Sequence, residues 1–239
     1  MPDAFDRTRL VLGAEALNKL KNARVAVFGL GGVGGAAVEA LARSGVGALD
    51  LIDNDTVAVT NLNRQLIAVH STLGMPKTEA AKARVLDINP DCRVTVRNTF
   101  FLPENANEFD FTVYDYVVDA VDTVAAKLCL AERCLLAGTP IVSSMGTGNK
   151  TDPTKLEITD IYKTSVCPLA RVMRYECRKR GIKHLKVLYS REEPIAPKTG
   201  EVAQTEETGR RSTPGSTAFV PPAAGFIIAA EAVKDMIKR

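Results

Sequence analysis

The eleven residues from Arg24 to Gly34 constrain the fold of this chain more than any others. Arg24-Val25-Ala26-Val27-Phe28 is a short apolar run leading directly into Gly29-Leu30-Gly31-Gly32-Val33-Gly34. The apolar period then changes, with Val33, Ala36, Ala37, Ala40 and Leu41 at helical spacing in a segment ending at Ser44. A strand, a glycine-rich turn and a helix in that order form the start of a nucleotide-binding βαβ unit. Glycines there permit the tight turn and let backbone N–H groups approach a phosphate at the helix N-terminus. Ala48 to Ile52 predicts the second strand, and Asp53 ends it 19 residues past Gly34. A carboxylate so placed accepts hydrogen bonds from ribose hydroxyls. Gly29, Gly31, Gly32, Gly34 and Asp53 are therefore candidate nucleotide contacts. The motif leaves open whether the nucleotide is a dinucleotide such as NAD or a mononucleotide such as ATP.

The alternation continues as far as residue 145. Pro76 to Asp87 predicts a helix, Arg93 to Val96 a third strand, and Asp115 to Val118 a fourth strand ending at Asp119. Thr123 to Ala137 predicts a helix closed by Gly138, and Pro140 to Ser143 a fifth strand. This is the α/β class: a Rossmann-like, mostly parallel sheet with helices on both faces, its nucleotide-binding core spanning 24–145. From Lys155 the character shifts to a C-terminal basic helix and strand region packed on that sheet, spanning 155–239. Leu156 to Ile161 alternates like a half-exposed strand, Leu169 to Arg180 predicts a basic helix, and His184 to Leu188 a further strand. Glu192 to Gly215 is polar and reads as a mobile loop or lid. Ala218 to Ile237 is apolar and needs the first sheet to pack against. At 239 residues the chain reads as one domain.

Composition narrows the class. Apolar residues make up 46% and charged residues 25%, which excludes wholesale disorder, while a net charge of +3 allows a basic patch but not a coat of positive charge. Pro221, Pro222 and Gly225 interrupt the longest uncharged run, which falls short of the ~20 apolar residues a spanning helix needs. No basic-then-apolar leader opens the chain. Five cysteines without a Cys-x-x-Cys pair argue against a disulfide framework and a four-cysteine zinc site. A cytoplasmic protein is expected.

Residues beyond the second strand decide between nucleotides. Asp55, Thr60 to Gln65 and Lys77 follow Asp53. Arg64 and Lys77 have no evident use to a NAD dehydrogenase, whereas the β and γ phosphates of ATP demand cations. Asp122, past the fourth strand, is placed to hold Mg2+ against the triphosphate. Asp119 ranks below it, as a helper or a strand end. Gly146 to Thr151 imitates a phosphate loop, but Asn149 stands where glycine is required, so a turn after the fifth strand is expected.

Together Gly29 to Gly34, Asp53, Thr60 to Gln65, Lys77 and Asp122 resemble the adenylate-forming domain of the ubiquitin-activating and bacterial ThiF/MoeB/HesA superfamily. That resemblance implies activation of a carboxylate by ATP with release of pyrophosphate. It implies that Gly31 approaches the phosphates, Asp53 takes the ribose, Asn61 and Arg64 contact phosphate, Lys77 neutralises charge at the α-phosphate, and Asp122 binds Mg2+. Arg7 matches an arginine that in the superfamily reaches into the partner's ATP site, implying a homodimer. The chain lacks the zinc-binding Cys-x-x-Cys pairs usual in ThiF- and MoeB-type members. Arg7-Thr8, Leu62 to Gln65, His70 to Thr72, Asp87 to Asp91, Asp119 to Thr123, Ser143 to Gly146, Asn149 to Thr154, Asp160 to Thr164, Pro168 to Ala170 and Gly215 to Pro222 resemble the tRNA threonylcarbamoyladenosine dehydratase subfamily. Its substrate is a modified adenosine beside the tRNA anticodon, whose threonine carboxylate is adenylated before a ring closes with loss of water. A cysteine desulfurase or sulfur-acceptor partner belongs with the same resemblance.

A basic segment agrees with an RNA substrate. Lys163 to Arg191 carries lysine or arginine at 163, 171, 174, 178, 179, 180, 183, 186 and 191, against one acid, Glu176. Arg171, Arg174 and Arg178 share one helix face, and Lys179 and Arg180 extend the candidate tRNA-binding set. Two rivals stand beside this reading: an adenylyltransferase acting on the C-terminus of a ubiquitin-like sulfur carrier, and a nucleotide-sensing module without turnover. The basic segment and absent zinc pairs favour tRNA over a carrier protein. Intact Arg7, Arg64, Lys77 and Asp122 disfavour a module that does no chemistry. Cys167, before the basic helix, has a minor claim as an acyl carrier. Cys92, Cys129, Cys134 and Cys177 read as packing residues, and His70 as a residue that shapes its loop.

Overall fold

A computed structural model describes residues 3–196 and 214–238. Most of the polar segment expected as a lid, 197–213, lies outside the described residues. Two short helices come first, α1 (Asp6–Leu12) and α2 (Ala14–Asn22), which the apolar periodicity had not revealed. α1 buries none of its side chains, so no core-facing stripe announces it. Then follow β1 (Arg24–Phe28), α3 (Gly32–Arg43), β2 (Ala48–Asp53), α4 (Lys77–Ile88), β3 (Arg93–Asn98), β4 (Tyr116–Asp119), α5 (Val124–Ala137) and β5 (Ile141–Ser144). The last elements are β6 (Leu156–Asp160), α6 (Pro168–Lys179), β7 (Lys186–Ser190) and α7 (Val220–Lys238).

The seven strands form one sheet in the order β3-β2-β1-β4-β5-β7-β6. All pairings are parallel except β6 with β7, so the expected half-exposed strand is an antiparallel edge. β1 and β4 are buried almost throughout, as central parallel strands covered on both faces must be. The order reverses direction between β1 and β4, and at such a switch point the strand ends open a crevice for a ligand.

One face is covered by α3, α4 and α7, whose apolar side chains pack with Val25, Val27, Leu49 and Leu51 from the sheet. The expectation that the C-terminal apolar segment returns to the first sheet holds: Ala224, Ile228, Ala232 and Met236 of α7 join that core. A Cβ on Gly225 would lie 2.2 Å from the Val33 carbonyl oxygen, so only glycine lets α7 lie this close to α3. The opposite face carries α5 over a cluster of Phe28, Phe101, Phe109, Phe111 and Tyr114. Phe28 and Phe101 meet edge to face at 4.9 Å, the geometry aromatic quadrupoles prefer. Beside it α6 packs Ala170, Met173 and Cys177 against β7 and α5. Among the described residues no helix is long and apolar enough to cross a membrane.

Candidate active site

At the C-terminal ends of the parallel strands lies a cleft of about 870 Å³. Gly29, Gly31 and Gly32 after β1, Asp53 and Asp55 after β2, and Asn61, Arg64, Gln65 and Lys77 from the following segment line it. So do Thr99 to Phe101 after β3, Asp122 after β4, and Ser144 to Gly148 after β5. Residues far apart in sequence thus converge because every parallel strand ends on the same side of the sheet.

The glycines of the β1–α3 turn are there for different reasons. Gly29 has φ of +85°, and a Cβ there would stand 2.7 Å from the Ala120 carbonyl oxygen. A Cβ on Gly34 would fall 1.7 Å from the Gly29 carbonyl oxygen. These two serve the packing of turn on helix and strand. One on Gly32 would press on Pro221 of α7, at 2.8 Å. Gly31 differs: its nearest neighbour would be the Gln65 side-chain nitrogen at 3.9 Å, and the space beyond is the cleft. The fold does not need glycine at this position, whereas a phosphate approaching the backbone would.

The acids and cations are pre-positioned by hydrogen bonds. Asp53 accepts the Leu30 N–H at 2.6 Å with one oxygen and the Asp55 N–H at 2.8 Å with the other, which ties the phosphate loop to the β2 end. Lys77, buried at the start of α4, places its ammonium 2.6 Å from Asp55. Arg64 donates to the Thr60 carbonyl and the Asn63 side chain, and burial lowers its pKa from the ordinary value. Asn61 is held by accepting the Ala58 N–H. Gln65 is buried in the cleft wall, and its side-chain oxygen has no hydrogen-bond partner among the described residues. The sequence showed Gln65 only as part of a motif; its orphaned acceptor comes from tertiary packing.

Asp122 lines the cleft, while Asp119 does not. The Asp119 carboxylate is wholly buried against Lys127 and Ser143. Gly146, Thr147 and Gly148, in the segment expected to be a turn, also form part of the cleft wall. Asn149 takes φ of +58° there, and its backbone and side chain bond Ile195 and Gly215 on either side of 197–213. Arg7 is exposed on α1 and is not among the residues lining this chain's cleft.

The basic helix α6 needs a finer description than its sequence suggested. Arg171, Arg178, Lys179 and Arg180 are exposed. Arg174 is half-buried and bonds the Thr164 carbonyl and hydroxyl; Arg178 lies over the Tyr162 ring; Arg180 pairs with Glu132 at 3.1 Å. Cys167 is buried at the N-terminus of α6 beside Gly146. Burial pushes the Cys92 and Cys177 thiols up to about 11 and raises Cys129 and Cys134 as well, in keeping with packing roles.

Among the described residues no group of three or more His, Cys, Asp or Glu side chains is arranged to hold a metal. Asp122, a carboxylate beside a phosphate cleft, suits magnesium, which keeps its waters and takes most of its other ligands from nucleotide phosphates.

The comparisons with known proteins agree with this geometry. The model of the ThiF family matches residues 5–239. The tRNA threonylcarbamoyladenosine dehydratase of Bacillus subtilis (strain 168) is 47% identical over 240 residues, spanning 98% of this chain and 94% of that protein. The crystal structure of the Escherichia coli enzyme TcdA in complex with ATP matches with a TM-score of 0.88 at 35% identity, over 98% of this chain and 94% of that one. The adenylyltransferase and sulfurtransferase MOCS3 of Drosophila willistoni, by contrast, is 37% identical over 131 residues, spanning 55% of this chain and 28% of that protein. The chain belongs to the ThiF family, among the tRNA threonylcarbamoyladenosine dehydratases.

Proposed function

We propose that this chain is an ATP-dependent dehydratase acting on threonylcarbamoyladenosine next to the tRNA anticodon. A threonine carboxylate oxygen attacks the α-phosphorus of ATP and pyrophosphate leaves. The carbamoyl group then closes on the activated carbonyl carbon and gives up a proton, and AMP departs with the carboxylate oxygen, a net loss of water. The observation that carries the phosphate half of this reading is Gly31, open to a cleft that also holds Arg64, Lys77 and Asp122.

Each residue has a physical role. Backbone N–H groups at the start of α3 point positive charge at the phosphates. Arg64 grips phosphate from a half-buried position where its charge is poorly screened. Lys77 exchanges its contact with Asp55 for the α-phosphate as charge grows there. Asn61 donates to phosphate, and Asp53 receives the ribose hydroxyls. Asp122 would hold Mg2+, which supplies neutralisation of the triphosphate when bound. Arg7 would complete the site of a second copy in a homodimer. The exposed face of α6, led by Arg171 and Lys179, would hold tRNA phosphates. The whole chain then works as one adenylation unit in the cytoplasm, and a sulfur-transferring partner remains part of the proposal.

The test is a nucleoside mass spectrum. Protein, ATP and Mg2+ are incubated with threonylcarbamoylated tRNA, and the modified adenosine is weighed after gentle digestion. Loss of one water, dependent on ATP and absent with Asp122→Asn or Arg64→Ala, is expected. An unchanged mass would overturn the reading and favour the carrier-protein adenylyltransferase.

A further inference from the structure

Beneath the cleft floor lies a buried charge that the reaction outlined above does not use. Lys127, on the first turns of α5, and Asp119, the last residue of β4, are both completely excluded from solvent. The ammonium stands 3.0 and 3.1 Å from the two carboxylate oxygens. The Ser143 hydroxyl on β5 donates to the same carboxylate, and so does the Val121 N–H, at 3.2 Å.

An ion pair is a costly way to fill a core, because desolvation offsets most of the Coulombic gain and an apolar pair of similar volume does as well or better. What the charge adds here is direction. Asp119 receives the N–H two residues ahead, which shapes the turn that ends in Asp122. It also receives the hydroxyl of Ser143, the residue before the Ser144 to Gly148 wall. One carboxylate therefore fixes two adjacent rims of the cleft, and Lys127, bonded to both of its oxygens, keeps it aimed.

We propose that Lys127 is a positioning residue: through Asp119 it sets the β4–α5 turn so that the Asp122 carboxylate meets the metal–triphosphate group. The proposal rests on the reading of Asp122 as the magnesium carboxylate. Lys127 is fully buried and is not among the residues lining the cleft, so its removal should affect magnesium-dependent binding and spare the binding of AMP.

The test is calorimetric binding of AMP and of a non-hydrolysable ATP analogue, the latter with Mg2+ and with chelator, alongside thermal unfolding. The fold-preserving variant is Asp119→Leu with Lys127→Met, an apolar replacement of the buried pair; the single Lys127→Met accompanies it. The double variant should unfold near the wild-type temperature and bind AMP within about twofold. Its magnesium-dependent gain in analogue affinity should fall about tenfold, the usual scale for removing a partner that orients a metal ligand. A folded double variant with the full gain, or one that loses AMP and analogue binding equally, overturns the proposal. Where neither variant folds, Ser143→Ala decides: a reduced gain supports the proposal and an intact gain overturns it. Asp122→Asn run in parallel separates the two levels, since a full magnesium gain in that variant refutes the assignment of Asp122 itself.

Discussion

Adding one methyl group to the phosphate loop separates residues that build the fold from one that faces the ligand. In Gly31→Ala the new Cβ meets only the Gln65 side-chain nitrogen, at 3.9 Å, which is ordinary contact. In Gly34→Ala it would overlap the Gly29 carbonyl oxygen at 1.7 Å. Overpacking of that kind costs roughly 1–3 kcal/mol or more. Unfolding entropy of about 2 cal/mol/K per residue makes 1 kcal/mol worth roughly 2 °C in a chain of this size. Gly34→Ala is therefore expected to unfold at least several degrees early, and Gly31→Ala within about 2 °C of wild type. Nucleotide binding should respond in the opposite order. A backbone hydrogen bond to a charged phosphate is worth about 1.5–3 kcal/mol. Losing one at Gly31 lowers ATP affinity roughly 10- to 150-fold. Thermal unfolding and titration calorimetry on the two variants read both quantities. If Gly31→Ala binds ATP like wild type, or loses as much stability as Gly34→Ala, the cleft side of Gly31 is not a phosphate seat.

Other outcomes follow from the same contacts. Burial opposes ionisation of Asp235, yet hydrogen bonds from Lys186 and Tyr116 outweigh it and hold this α7 carboxyl below its ordinary range. Its contribution is thus present above the unfolded pKa of about 3.9 and lost as pH falls through the lower folded value. Asp235→Asn should lower stability at pH 7 by about 1 kcal/mol and leave little difference near pH 2; an equal gap at both pH values in thermal scans would contradict this. Asn149 holds a left-handed conformation, so Asn149→Ala should cost roughly 1 kcal/mol more than Asn149→Gly. Equal melting temperatures would remove backbone strain as the reason. Reversing charge at Arg171 and Lys179 should weaken tRNA binding and flatten the log–log salt slope by about 2, read by filter binding. The engaged Arg174 makes a poorer target, because its loss also frees Thr164. An unchanged slope would take α6 out of the RNA interface.

Much of the molecule is legible in the chain because its signals are local. Strand, glycine turn and helix around Gly29 to Gly34 follow from apolar period and from backbone freedom at adjacent residues, and β2, α4, β4, α5 and β5 follow in the same way. Asp53, Lys77 and Asp122 can be nominated because each sits next to a strand end or helix start, and parallel strands bring all such ends to one side; Arg64 stands out as a cation suited to phosphate, and Asn61 only through the family resemblance. Spacing carries no information on what a side chain meets across the sheet. Lys127 reads in sequence as one more charged helix position, and only the approach of β4 and β5 makes it a buried partner of Asp119. The division of labour among the glycines, the unpaired oxygen of Gln65 and the intramolecular partners of Arg174 and Arg180 were likewise set by the tertiary structure. α1 was missed for the complementary reason: a helix that buries nothing writes no apolar stripe into its sequence. Local pattern decides which elements form, whereas long-range packing decides which of their polar groups are left to face a ligand.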